Sequence, residues 1–344
     1  MRKLIFNNLF LFKKNLDYII KIMKINTENT TEAIKKVKPN LKDNSIKQYE
    51  IHLNKLKKLF ESDSYDFLSK PDEVMDKLSD KHYTSQRNSL NAIIILLLAL
   101  NSDKKFDKLI EEYQKIRDSK NQQYLDDNAD GKISDKQKQN FAEFSEVQEM
   151  ISTMENEIKS KGLKKKENLT GKEKELLMVY TMFTFLLKYP LRNDLSGMRY
   201  ITKTAYNKLS EEDKKNGNFL VNEKNSLTAI LNEYKTSRKF GEKKLPIDKD
   251  IEKILRMYIK ATNKKHGDVL FVSSKDTPLS RNALSQLLIK TSKKYLNKSI
   301  STTLMRKIVL SHKFGDMKKE QEKMAHITGH DVATMNQVYI KEKD

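Results

Sequence analysis

Apolar residues between positions 45 and 60 recur on one side of a helix: Ile46, Tyr49, Leu53, Leu56 and Phe60, with Ser45 placed to cap it. A second helix is expected to begin near Thr84 and to carry the run Ala92–Leu100. That run is about half the length that crosses a bilayer, so it reads as a buried helix. Between Phe106 and Tyr124 charges alternate at helical spacing. These three segments predict a helical domain over 40–125. The polar residues 25–44 before it hold no apolar period long enough to pack alone.

From Leu176 the pattern changes. LLMVYTMFTFLLKYP predicts an apolar helix that stops before Pro190, because proline restricts the residue ahead of it. Strand-like pieces follow at Arg199–Thr204, Asn218–Val221, Ser226–Glu233 and Lys243–Ile247, with Gly241 as a hairpin connection between the last two. Helices are expected again at 248–262, 279–294, 301–313 and about 317–328. The predicted fold is mainly α with a small antiparallel β-sheet (α+β). Its layout is an extension (1–39), a helical domain (40–125), a linker with a connecting helix (126–174) and a mixed domain (175–344).

Charge sharpens the picture. The chain has 67 Lys and Arg against 47 Asp and Glu, a formal charge of +20 over 344 residues, which favours a polyanionic partner. With no Cys, disulfides and thiolate metal sites are excluded. The start, MRKLIFNNLFLFKKNLDYIIKIMK, is broken by Asn7-Asn8 and Lys13-Lys14 and lacks a small-residue cleavage site. It reads as an amphipathic helix or an upstream extension before a start at Met23, not as a signal peptide. Asp126–Ser134 has the first positions of a calcium loop, but position twelve is Gln137 where a bidentate Glu is needed. His326 and His330 have metal-binding spacing, yet Gly329 interrupts the helix and no third ligand is evident. No metal or cofactor is expected.

One constellation carries chemistry. Arg192 stands in YPLRND and Lys235 in NEYKTSRKFGEKKLPI. Arg306 opens an apolar helical stretch, Gly329-His330 ends 24 residues later, and Tyr339 follows nine after the His. This order over roughly 175–344 resembles the catalytic domain of the tyrosine recombinases, or phage-integrase-type enzymes. The QKQNF segment and the VYIK ending look more like divergent members from eukaryotic DNA viruses, virophages and mobile elements.

The resemblance implies a helical core-binding domain ahead of a catalytic domain that cuts and rejoins DNA through a 3′-phosphotyrosine. Tyr339 would be the nucleophile, Arg192 and Arg306 a guanidinium clamp, Lys235 the acid for the leaving 5′ oxygen, and His330 a further phosphate contact. Two departures bear on these roles. Many members have His three residues before the second Arg, where this chain has Thr303, so the acceptor for the tyrosine proton falls to an imidazole such as His312 or His330. The usual acid three residues after the first Arg is replaced by Asp194 at two.

Lys81, Thr84, Gln86 and Arg87, at the start of the second helix, suit phosphates and base edges. Expected partners are double-stranded DNA and further copies of the chain, as a homo-tetramer on DNA, with no membrane. Only five residues follow Tyr339, so assembly is expected to use surfaces other than a long tail. Location would be a host nucleus or a cytoplasmic viral factory. A type IB topoisomerase and a non-catalytic DNA-binding descendant are the alternative readings.

Overall fold

The computed structural model describes residues 27–101, 104–129 and 135–341. The sequence readings at 1–24 and at Asp130–Ser134 lie outside them. The chain divides into two compact units, Met1–Lys132 and Ile133–Asp344. Among the described residues no helix is long and apolar enough to cross a membrane.

The first unit is all helical: α1 (Thr27–Val37), α2 (Asp43–Leu59), α3 (Pro71–Leu78), α4 (Tyr83–Leu100) and α5 (Asp107–Ala129). Helix α4 is its centre because its sequence is apolar on nearly every face, and Leu90, Ala92, Ile93, Leu96 and Leu97 are fully buried. α1 departs from the expected polar segment. Two buried positions, Thr30 and Ile34, suffice to hold it, Ile34 packing with Ile46 and Ile95. α2 starts two residues before the expected cap, with Lys42 at the N-cap and Ser45 inside the first turn.

The second unit is built on α6 (Phe144–Ser160) and α7 (Gly171–Lys188). α6, expected as a connector, belongs to this unit's core through Val147, Met150, Ile151, Met154 and Ile158. Gln137, which stands where a calcium loop needs its Glu, accepts instead from Lys307 Nζ at 2.7 Å. α7 opens on a capping box between Thr170 and Glu173 and buries ten consecutive or near-consecutive residues from Leu176 to Leu186. It ends at Lys188, ahead of Pro190 as the sequence requires.

Four strands follow: β1 (Arg199–Thr202), β2 (Asn218–Asn222), β3 (Leu227–Leu231) and β4 (Lys243–Pro246), in the order β1-β2-β3-β4. β2 to β4 form an antiparallel meander, with Phe219 opposite Ile230 and Ala229 opposite Leu245. β1 joins parallel to β2, so the sheet is mixed. Two single-turn helices, Lys203–Asn207 and Glu211–Lys215, make the crossover that a parallel pair needs.

Three helices complete the unit: α8 (Lys249–Ala261), α9 (Arg281–Leu296) and α10 (Thr302–Thr328). α10 was expected as two helices separated near 314–316. It is one helix of 27 residues that runs through Gly315 without a break. Its first turns are buried through Leu304, Met305, Ile308 and Val309, and beyond them only Ala325 is.

Candidate active site

Pro190 ends α7 and turns the chain into a single 3-10 turn, Asn193–Leu195. Within it the Asp194 carboxylate, 5% exposed, accepts the Arg192 N–H at 3.2 Å and fixes the approach to the turn. The start of α10 docks on the same segment. Thr302 donates to Asn193 Oδ1 at 2.6 Å, and one turn later Arg306 Nε donates to the Pro190 carbonyl at 3.0 Å. Thr302, not the neighbouring Thr303, makes this contact. Thr303 is exposed.

Two guanidinium groups are thereby held in one place. Arg192 is exposed, Arg306 half-buried, and Arg306 Nη2 is buried without a hydrogen-bond partner. Burial and the neighbouring Arg192 charge both lower the Arg306 pKa, with Asp194 opposing them. A guanidinium nevertheless remains protonated in a protein. Burial likewise pushes the Asp194 carboxyl above its usual value, although Arg281, Arg192 and Arg306 all pull it down. Its Oδ1 also lacks a hydrogen-bond partner. Three arginines stand against two carboxylates, since Arg281 Nη2 also lies 3.5 Å from Glu233 Oε1. One cation remains in excess, and the unfilled donor of Arg306 is one that an anionic oxygen would satisfy.

Arg281 and Asn218 were missed in the sequence. Arg281, at the start of α9, lies 3.8 Å from Asp194 Oδ1 and donates Nη2 to the Glu233 carbonyl at 2.9 Å. Asn218, 3% exposed on β2, donates Nδ2 to the carbonyls of Asp194 at 2.9 Å and Glu233 at 3.0 Å. Its Oδ1 accepts from the N–H groups of Asn232 at 3.0 Å and Glu233 at 2.9 Å. One amide thus clamps the Arg192 turn to the segment that leaves β3. The only sequence signal was an Asn at the head of an apolar strand.

Lys235 stands two residues beyond that clamp, exposed, in the β3–β4 connection. The adjacent Tyr234 is buried and donates to the Gly241 carbonyl at 2.7 Å, closing the connection on itself. Gly241 takes φ +65°, a left-handed value that favours glycine.

His330 and Tyr339 are not brought to the arginines. Gly329 caps α10 in the left-handed conformation, and the His330 N–H returns to the Ala325 carbonyl at 2.9 Å. Asp331 caps the next turn, Val332–Thr334, and the chain folds back through Met335–Tyr339. The rings of His330 and Tyr339 lie 4.6 Å apart at 26°, with Tyr339 58% exposed. At 1.5 Å per residue, α10 carries the chain about 33 Å from Arg306 to Thr328 before this turn begins. His312 also stays apart, stacked on Phe144 at 3.9 Å.

In the first unit, Lys81 is exposed and Thr84 half-exposed at the start of α4. Gln86 does not face a groove. It is buried, and Nε2 donates to the carbonyls of Leu78 and Lys81 at 3.1 and 2.8 Å, so it serves the α3–α4 turn. The Arg87 guanidinium lies over the Tyr124 ring at 4.8 Å and reaches Asn121 Oδ1 at 3.4 Å. Among the described residues no group of three His, Cys, Asp or Glu is placed to hold a metal ion.

No family model matches this chain, and no curated protein does. Among solved structures it has a distant likeness to one described as the crystal structure of XerA recombinase. The identity is 12%, the match covers 93% of this chain and 95% of that one, and the TM-score is 0.33. At that score the likeness carries no argument, and the chemistry rests on the residues themselves.

Proposed function

We propose that the second unit is a DNA strand-cleaving and rejoining domain of the tyrosine-recombinase type. The observation that supports this most is the orphaned, buried Nη2 of Arg306 beside Arg192, in a cluster whose three arginines outnumber its two carboxylates, Asp194 and Glu233. Unpaired buried donors cost about 1–3 kcal/mol, so a fold that keeps one has a use for it. A phosphodiester supplies two non-bridging oxygens for these guanidiniums.

In this reading the Tyr339 oxygen attacks phosphorus, forming a P–O bond to tyrosine as the bond to the 5′ oxygen breaks. His330, whose ring lies against Tyr339, takes the phenolic proton. Lys235 gives its proton to the departing 5′ oxygen, and rejoining runs the same steps backwards. Arg192 and Arg306 neutralise the phosphorane, and removing either lowers the rate by about two to three orders of magnitude. Lys81 and Thr84 of the first unit add contacts to the duplex, and the partner is double-stranded DNA bound by several copies of the chain.

The separation of Tyr339 from the arginines along α10 favours a second reading, in which the cluster binds DNA phosphate without cutting. Incubation in EDTA with supercoiled plasmid carrying DNA from the ends of the protein's own element, quenched with SDS, tests both. A covalent 3′ adduct that disappears in Tyr339→Phe supports cleavage. Specific binding with no adduct supports the second reading. Rearranged products that need two sites mark a recombinase, whereas relaxation of any plasmid marks a topoisomerase.

A further inference from the structure

The connection that carries Lys235 also carries Phe240, at 58% the most exposed phenylalanine among the described residues. Phe240 closes a single helical turn, Ser237–Phe240, and its N–H returns to the Thr236 carbonyl at 3.2 Å. The Gly241 N–H returns to the Ser237 carbonyl at 2.8 Å, while the Tyr234 hydroxyl holds the Gly241 carbonyl. Glu242 accepts from the Tyr206 hydroxyl at 2.8 Å and pairs with Lys244 at 2.9 Å. The ring is thus held out in water by a backbone tied down on both sides of it.

A lone exposed Phe is ordinary on a protein surface. This one differs in its surroundings. Lys239 Nζ lies 5.3 Å and Lys243 Nζ 5.6 Å from the ring centroid. Between positions 233 and 244 five cations stand against Glu233 and Glu242. Both carboxylates are already engaged, Glu233 by Arg281 at 3.5 Å and Glu242 by Lys244. A fixed aromatic face among cations is a surface that takes a nucleic-acid base, ring against base and ammonium against phosphate.

We propose that Phe240 is a wedge that enters the base stack of bound DNA beside the phosphate to be cut, with Lys239 and Lys243 on the flanking phosphates, and that it thereby helps choose the site. The proposal rests on the DNA-cleavage reading above. Phe240 lies five residues beyond Lys235, a path of about 8 Å at helical rise. Successive phosphates of one strand are spaced about 3.4 Å along the duplex, so the ring reaches a base step within about three nucleotides of the one Lys235 serves. A phenyl ring has no hydrogen-bonding atom and reads no base edge. It selects steps by the ease of unstacking, which favours TA and CA/TG over G·C-rich steps.

Permanganate oxidises unstacked thymines. It is applied to the full-length protein on duplexes from the ends of its own element, with thymines substituted in where a position lacks one, and the adducted phosphate is mapped on the same duplexes. The wild type should create one hyper-reactive step within about three nucleotides of that phosphate. Phe240→Ala should remove it, weaken binding about ten-fold and leave the urea midpoint unchanged, whereas Phe240→Trp should restore it. Replacing that step by a G·C-rich one should weaken wild-type binding about ten-fold and that of Phe240→Ala less than about two-fold.

Wild-type adduct without a hyper-reactive step, or a step that stays reactive in Phe240→Ala, overturns the wedge and leaves the proposed function standing. Specific binding without adduct removes cleavage instead. The wedge is then decided on the bound duplex by the same signal: its loss in Phe240→Ala supports the insertion, and its absence from the wild type overturns it. No binding to these duplexes overturns both.

Discussion

Asn218→Ala should be far more damaging than a single polar deletion. Asn218 holds four main-chain groups: the carbonyls of Asp194 and Glu233 and the N–H groups of Asn232 and Glu233. The Glu233 carbonyl keeps a partner in Arg281, so three groups are stripped. At about 1 kcal/mol each, the low end for sites near the surface, the loss is about 3 kcal/mol. With no Trp in the chain, circular dichroism in urea is the natural readout. A slope near 2 kcal/mol per molar turns that loss into a midpoint shift of about 1.5 M. Hydrogen exchange supplies the local test, since the Asn232 and Glu233 amides should lose their protection first. Asn218→Asp should not rescue, because it sets an anion against two carbonyl oxygens. Under the proposed function, the rate of strand cleavage should fall about 100-fold, as expected when a loop beside the reacting groups moves by an ångström. A midpoint shift below about 0.5 M, with both amides still protected, would refute the argument that one amide clamps the Arg192 turn to the Lys235 connection.

Three further outcomes follow from the same geometry. Gly315 lies inside α10 with nothing within 4 Å of an added Cβ, so Gly315→Ala should stabilise the helix by about 1 kcal/mol and leave cleavage intact; slower cleavage by a more stable variant would mean that the helix must break there. Burial raises the Asp194 pKa, so the native state holds that proton more tightly than the unfolded chain does. The contribution of Asp194 is therefore most favourable below about pH 4 and is lost as pH rises through the folded-state pKa. Urea midpoints across this range should show wild type losing ground to Asp194→Asn as pH rises, and a gain would contradict the desolvation argument. Arg281→Ala removes a half-exposed ion pair and should cost under about 1 kcal/mol of stability, yet slow cleavage at least about ten-fold by freeing the Glu233 segment; Arg281→Lys, lacking the fork, should not restore the rate.

Much of this protein was written locally. The stop of α7 before Pro190, the four strands, the buried run of α4 and the separation of a helical unit from a mixed one all follow from apolar periodicity and turn residues. These act over a few neighbours and can be read without knowing the fold. Arg192 and Arg306 stood out as candidates for the same reason, each sitting against an apolar helix, and the structure sets both at the turn that follows Pro190. The register of distant segments was not legible. A parallel β1 depends on a crossover, and Asn218 and Arg281 acquire their roles only when Asp194 and Glu233 arrive from elsewhere in the chain. The gap expected between helices at 301–313 and about 317–328 contains Gly315, yet the propensity penalty of a glycine, about 1 kcal/mol, is too small to interrupt a helix capped at both ends. That continuity decides where Tyr339 lies. The sequence determined which groups are present and their order, because composition and spacing are properties of the chain. Their meeting was decided in space, where one unbroken helix brings Arg306 to Arg192 and carries Tyr339 away.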